Sequence, residues 1–196
     1  MKFNSHSEKD TLNFAKKIAR ELRGGDVLAL SGDLGSGKTV FAKGLAKTFG
    51  IDCIHSPTFT LMHMHKINSK SEIRNPKFKI RNSKKFEIPS RQMSSRPCRE
   101  LCSENSKQIL KSKFQKLEPK TSHLIPKTLC HIDAYRLKNA ESLLEIGADE
   151  YIGNPEVITI IEWAEKVKKI LPKNTKWIFF KHHPKNENWR VIKYNS

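Results

Sequence analysis

The run Gly32-Asp33-Leu34-Gly35-Ser36-Gly37-Lys38-Thr39 constrains this chain more than any other feature. It satisfies the phosphate-loop pattern G-x-x-x-x-G-K-[ST] at every defined position. The chemistry explains the spacing. Glycines let the backbone bend so that successive N–H groups converge on phosphate oxygens, and the helix that follows adds its positive N-terminus. A lysine at position 38 can reach the β- and γ-phosphates, and a threonine hydroxyl at 39 can ligate Mg²⁺. Such a loop belongs between a strand and a helix, and the flanks supply both. Asp26-Val27-Leu28-Ala29-Leu30-Ser31 is a short apolar run of the kind found in buried parallel strands. Lys38 to Phe49 reads as a helix stopped by Gly50. The expected nucleotide contacts are therefore Asp33, Leu34, Gly35, Ser36, Gly37, Lys38, Thr39 and Val40, with Lys38 also catalytic.

The rest of the chain fits an α/β layer architecture. Ser7-Glu8-Lys9-Asp10 has the form of a capping box, and Leu12, Ala15, Ile18, Ala19 and Leu22 recur at helical spacing until Gly24-Gly25. His131 to Leu137 reads as a strand end entering a loop, and Asn139 to Gly147 as a short capped helix. Val157-Ile158-Thr159-Ile160-Ile161 is the most β-branched run and predicts a central strand. Trp177–Phe180 and Trp189–Tyr194 predict a closing pair of strands at the sheet edge. The expected fold is a P-loop NTPase-type, mostly parallel sheet flanked by helices, with C-terminal edge strands.

One stretch breaks this pattern. The chain carries 37 Lys and Arg against 20 Asp and Glu, a formal charge of +17. Residues 66–127 hold 17 of those basic residues and 5 of the acidic ones, a net of +12. The stretch is rich in Lys, Ser, Asn and Arg and has no sustained apolar period. Such a composition buries too little apolar surface to offset ordering entropy. It predicts a mostly disordered insertion, about 66–127, within one domain spanning 1–196. Its charge suits an RNA- or partner-binding arm as well as a solvated loop. The N-terminus lacks the apolar run of a signal peptide, and no apolar stretch nears the roughly 18 residues of a membrane span. Cys53, Cys98, Cys102 and Cys130 are too scattered for a disulfide framework, and Cys98 and Cys102 lack a second pair at zinc-finger spacing. A cytoplasmic protein without a membrane partner is expected.

Hydrolysis needs more than a phosphate loop. An acidic group at the end of a neighbouring strand should hold the metal or its water. Glu162 follows the β-branched run and should emerge at the carboxyl end of its strand, where open α/β sheets bind ligands. Asp133 is placed similarly after Leu129-Cys130-His131-Ile132. Trp163, read alone, is a core or rim aromatic.

Four motifs in order resemble the TsaE family, formerly YjeE: the phosphate loop, Ser56-Pro57-Thr58-Phe59-Thr60-Leu61, His131-Ile132-Asp133-Ala134-Tyr135-Arg136-Leu137, and Ile161-Glu162-Trp163. The resemblance covers residues 5–65 and 129–194. It implies a cytoplasmic ATPase, taking ATP and Mg²⁺, that assists the transferase TsaD and its partner TsaB in threonylcarbamoyladenosine (t6A) modification of tRNA at adenosine 37. It assigns Mg²⁺ to Thr39 and Glu162 and water activation to Asp133. It places Thr58 in a switch loop near the γ-phosphate, Thr11 near the adenine, and Trp163 beside the nucleotide.

Three departures stand out. Val40 replaces a commonly repeated threonine, Ala134 replaces a bulky apolar residue, and the basic insertion occupies a short turn. A hairpin tip tolerates such length because closure entropy grows by only about 0.6 kcal/mol per doubling. A competing reading is a nucleotide-switched RNA-binding protein that meets tRNA through the insertion. A small-molecule kinase would need a lid of arginines over the phosphates, and no such constellation stands in the ordered part.

Overall fold

The computed structural model describes residues 1–52, 54–57, 60–68 and 126–195. Thr58, three of the four cysteines and most of the basic stretch, including its expected disorder, lie outside the described residues. Seven strands form one sheet in the order β1-β7-β6-β2-β5-β4-β3. They are β1 Lys2–Ser5, β2 Val27–Gly32, β3 Met62–Lys66, β4 Thr128–Asp133, β5 Val157–Glu162, β6 Lys176–His183 and β7 Asn186–Asn195. Strands β6, β2, β5 and β4 run parallel to their neighbours within that set. The mostly parallel α/β architecture expected from the sequence is the one observed.

Helices α1 (Glu8–Ala19) and α2 (Lys38–Thr48) pack on one face of the sheet. Here Phe14, Phe41, Phe49 and Phe180 join Leu28, Leu30, Ile158 and Ile160 in the larger core. A short helix α3 (Ser142–Glu145) and 3-10 turns cover the other face over Ala29, Ile132 and Ile161. Among the described residues no helix is long and apolar enough to cross a membrane.

Local chemistry accounts for the element ends. The Ser7 hydroxyl accepts from Asp10 N at 3.1 Å, and the Asp10 carboxylate accepts from His6 N at 3.0 Å, so both sides of the cap are satisfied. Helix α1 stops at Ala19, short of the expected Leu22. Turn bonds from Glu21 N to Ile18 O and from Leu22 N to Ala19 O close it, and these still bring Leu22 into the core. The expected helix over 139–147 shrinks to α3. The Asn139 side chain accepts from Ser142 N at 2.9 Å and starts it, and Gly147, at φ 72°, follows its end.

Two further features are topological. The closing hairpin β6–β7 does not form the sheet edge, because β1 adds outside β7 in antiparallel register, with Phe3 opposite Ile192. A four-residue strand with a single, partly buried apolar side chain gives too weak an alternation to be read from sequence. At the other edge β3 pairs with β4 from Met62–Ile132 to Lys66–Thr128. The basic stretch thus connects the two strands of a hairpin, and its ends belong to the fold. Ile67 N donates to Lys127 O at 2.8 Å, Ile67 and Pro126 are buried, and Asn68 Nδ2 donates to Gly50 O at 2.8 Å.

This geometry sets where the stretch can be removed. Replacing residues 69–125 with a short Gly-Asn turn is expected to leave the melting temperature within a few degrees. The pairing through Ile67 and Lys127 survives, and a shorter loop closes at lower entropic cost. Thermal melts decide it. A fall of about 10 °C or more, on the order of 3 kcal/mol for a chain of this size, would show that the stretch packs as core.

Candidate functional site

Strands β2, β4 and β5 end together, and their carboxyl ends bring the chemistry into one place. Asp133 lies opposite Glu162 in the β4–β5 register, and Leu30, two residues before Gly32, lies opposite Glu162 in β2–β5. Above them lies a cleft of about 330 Å³, lined by residues 34–40 of the loop with Ser56, Asp133, Tyr135, Glu162 and Trp163. Its size falls within the range of small-molecule sites.

Two glycines of the loop have conformations that only glycine adopts without strain. Gly32 has φ +144°, and a Cβ there would lie 2.3 Å from the carbonyl oxygen of Phe180. Gly37 has φ 98° at the N-cap of α2, where it turns the chain into the helix. The Ser36 hydroxyl is buried and has no hydrogen-bond partner among the described residues. An orphaned hydroxyl inside an anion-binding loop suits a phosphate oxygen.

Lys38 is buried and folded back on its own loop. Its Nζ donates to Gly32 O at 2.7 Å and Asp33 O at 2.8 Å, and lies 3.8 Å from the centroid of the Trp163 ring. Burial pushes its pKa below the usual lysine range, while the charges of Glu162, Glu165, Asp133 and Asp33 oppose that shift. Trp163 holds left-handed backbone angles (φ 57°, ψ 36°), which are strained for an aromatic residue. The Tyr135 ring lies 5.0 Å from it, tilted by 48°.

Glu162 is the hub. Its Oε2 accepts from the Thr39 hydroxyl at 2.9 Å, and its Oε1 accepts from His131 Nε2 at 2.9 Å. Glu162 and His131 are both buried. Asp133 is also tied down, with Oδ1 accepting from Tyr135 N at 2.9 Å and Oδ2 from Ser56 Oγ at 3.0 Å.

Most sequence-predicted site residues therefore converge: Leu34, Gly35, Ser36, Gly37, Lys38, Thr39, Val40, Asp133, Glu162 and Trp163 line the cleft. Asp33 is exposed at the loop's outer side and contributes its carbonyl to Lys38. Thr11 does not reach the cleft. It is buried in α1 with its hydroxyl 2.8 Å from that of Ser5, which ties β1 to the helix. Thr58 falls outside the described residues. Sequence reasoning passed over His131, Ser56 and Tyr135. His131 was legible in principle, because it stands two residues before Asp133 and strand alternation puts both on one face.

Among the described residues no three His, Cys, Asp or Glu side chains group to hold a metal by themselves. The hard-oxygen pair of Thr39 and Glu162 fits a different kind of site. Mg²⁺ at a nucleotide takes one or two protein oxygens and fills the rest of its shell with phosphate and water.

The family model for the threonylcarbamoyl adenosine biosynthesis protein TsaE matches residues 5–79 and 109–191. The chain belongs to the TsaE family. That family acts in tRNA threonylcarbamoyladenosine biosynthesis. The TsaE protein of Borreliella burgdorferi is 35% identical over 168 residues, covering 86% of this chain and 81% of its own length. That of Rickettsia bellii is 30% identical over 170 residues, covering 85% and 76%. The crystal structure of Bacillus subtilis YdiB shares the fold, with a TM-score of 0.58 at 23% identity over 99% of this chain and 83% of that one. The family match enters both ends of the basic stretch and breaks between residues 79 and 109.

Proposed function

We propose that the chain is a Mg²⁺-dependent ATPase that serves tRNA t6A modification in the cytoplasm as an accessory to the TsaB–TsaD transferase complex. The observation that carries this reading is the joining of Thr39 and Glu162 across 2.9 Å at the mouth of a phosphate loop. These two oxygens would hold the metal, which when bound neutralises charge on the β- and γ-phosphates. The chain's own groups do the rest. Backbone N–H groups of residues 35–39 and the α2 N-terminus receive the phosphates. Lys38 exchanges the Gly32 and Asp33 carbonyls for phosphate oxygens, leaving the Trp163 ring. His131 holds Glu162 by its far oxygen, so Oε2 keeps facing Thr39. Asp133, at the floor of the cleft, orients the attacking water or accepts its proton.

Purified protein should hydrolyse ATP in a Mg²⁺-dependent way and be retained by immobilised cognate TsaB–TsaD. Absence of both would end this reading. Two variants separate the carboxylates. Glu162→Gln should weaken nucleotide binding about tenfold or more in Mg²⁺ and leave binding in EDTA nearly unchanged, since an amide is a poor ligand for a hard cation. Asp133→Asn should keep nucleotide affinity and lower turnover by about 10²-fold or more. The amide can still accept from Tyr135 N and meet the Ser56 hydroxyl, so the fold survives that change. Equal loss of affinity in both variants would overturn this division of roles.

A further inference from the structure

The sheet has a second open face, away from the phosphate cleft. Strands β1, β7 and β6 form its antiparallel flank, and helices α1 and α2 cover one side of it through Phe3, Ile178, Phe180 and Ile192. Alternation sends the intervening residues to the other side. Register aligns Lys2 with Lys193 and Lys193 with Phe179, then Asn4 with Val191 and Val191 with Lys181. Lys2, Asn4, Lys181 and Lys193 are exposed.

Two sets of aromatic rings lie on this side. Trp177 and Phe179 stack with centroids 5.7 Å apart and planes 14° from parallel. Both are only half-buried, and Phe179 belongs to neither core cluster. Lys168 Nζ stands 5.7 Å over the Trp177 ring. Further along the strands, Trp189 lies 4.4 Å from the His6 ring and 5.3 Å from that of His183. Phe179 and His183 are four residues apart, about 13 Å at strand rise.

We propose that this face binds single-stranded RNA. Half-exposed rings on an open antiparallel sheet offer flat platforms for unpaired bases, and lysines between them meet the phosphates. Charge selects the occupant. The outward residues of β1, β6 and β7 include Lys2, Lys181, His183 and Lys193 against one carboxylate, Glu187 near the start of β7, so the face is net positive. The chain's own basic stretch carries the same sign, so charge does not favour it as the occupant. The family's work on tRNA supplies a substrate with unpaired loops. The inference goes beyond the ATPase reading and needs no hydrolysis.

The test uses the full chain without nucleotide. Fluorescence anisotropy follows a labelled unpaired RNA of about 12 nucleotides, within the usual site size, and a duplex of equal length. The single strand should bind more tightly. Phe179→Thr and Trp189→Thr, which keep β-propensity, should each weaken it about 5- to 100-fold. The double variant Lys181→Gln, Lys193→Gln changes only exposed side chains and so serves even where a ring variant fails to fold. It should lower the slope of log affinity against log salt by about 1.4. Ultraviolet cross-links should fall on β6 and β7. No binding by the unaltered chain, preference for duplex, an unchanged salt slope, or cross-links confined to residues 69–125 would each overturn the proposal.

Discussion

Lys38→Ala is expected to lower ATP turnover at least a hundredfold while the protein stays folded. A positioned cation or donor at developing phosphate charge is worth on the order of 10²–10³ in rate. The structure explains why folding should survive although Lys38 is buried. Its partners, the Gly32 and Asp33 carbonyls, sit at the end of β2 and at the start of the loop beside the cleft, where water can replace the lost donor at a cost of about 1 kcal/mol. Removing a desolvated charge offsets part of that cost, since burial already opposes the charged form of Lys38. A melting temperature within about 5 °C of the unaltered protein is therefore expected. Single-turnover assays on nucleotide-free protein check it, and unchanged turnover would remove Lys38 from the mechanism. The Trp163 ring adds a second readout. Loss of the ammonium 3.8 Å from its centroid should change the emission of Trp163 in the absence of nucleotide.

Gly32→Ala is expected to be the most damaging single substitution for stability. The new methyl group would stand 2.3 Å from the Phe180 carbonyl and 3.0 Å from its Cβ, at a backbone φ of +144°. Neither neighbour can move cheaply. The carbonyl belongs to β6, which pairs with β2 from Leu28 to Gly32, and the Phe180 side chain is buried in the larger core beside Phe41. Overpacking and backbone strain together should cost about 3 kcal/mol or more, lowering the melting temperature by roughly 6–12 °C. Gly35→Ala makes the comparison informative. At Gly35 the φ is +70° and a Cβ would meet nothing within 4 Å, so strain acts there without a clash. Equal melting temperatures for the two variants would mean that the β2–β6 contact relaxes more easily than its buried setting implies.

The phosphate-loop pattern was legible because its logic is local. Eight consecutive residues carry the glycines, the lysine and the hydroxyl, and the apolar run and helical period on either side state what they connect. Glu162 and Asp133 were legible for a related reason, since a β-branched run ending in an acid marks the carboxyl end of a strand. The capping box at Ser7 is equally local, and it forms as read. The basic stretch announced itself by composition alone, and the β3–β4 hairpin around it agrees with an insertion between paired strands.

What tertiary structure decided is whatever depends on register between segments distant in the chain. Thr39 and Glu162 are 123 residues apart, and only the pairing of β2 with β5 brings their oxygens to 2.9 Å. The same register hands the far oxygen of Glu162 to His131, a residue whose sequence neighbours suggest only a strand. Thr11 sits in a helix that the sequence places correctly, and the packing of α1 against β1 joins its hydroxyl to that of Ser5. The edge strand β1 forms because β7 offers it a free partner and the core accepts Phe3, neither of which four residues can announce. Side-chain period and turn chemistry act over a few residues and can be read directly. The side chain that finally meets a carboxylate is set by the alignment of strands across the sheet, and that alignment is fixed only when the cores on both faces close.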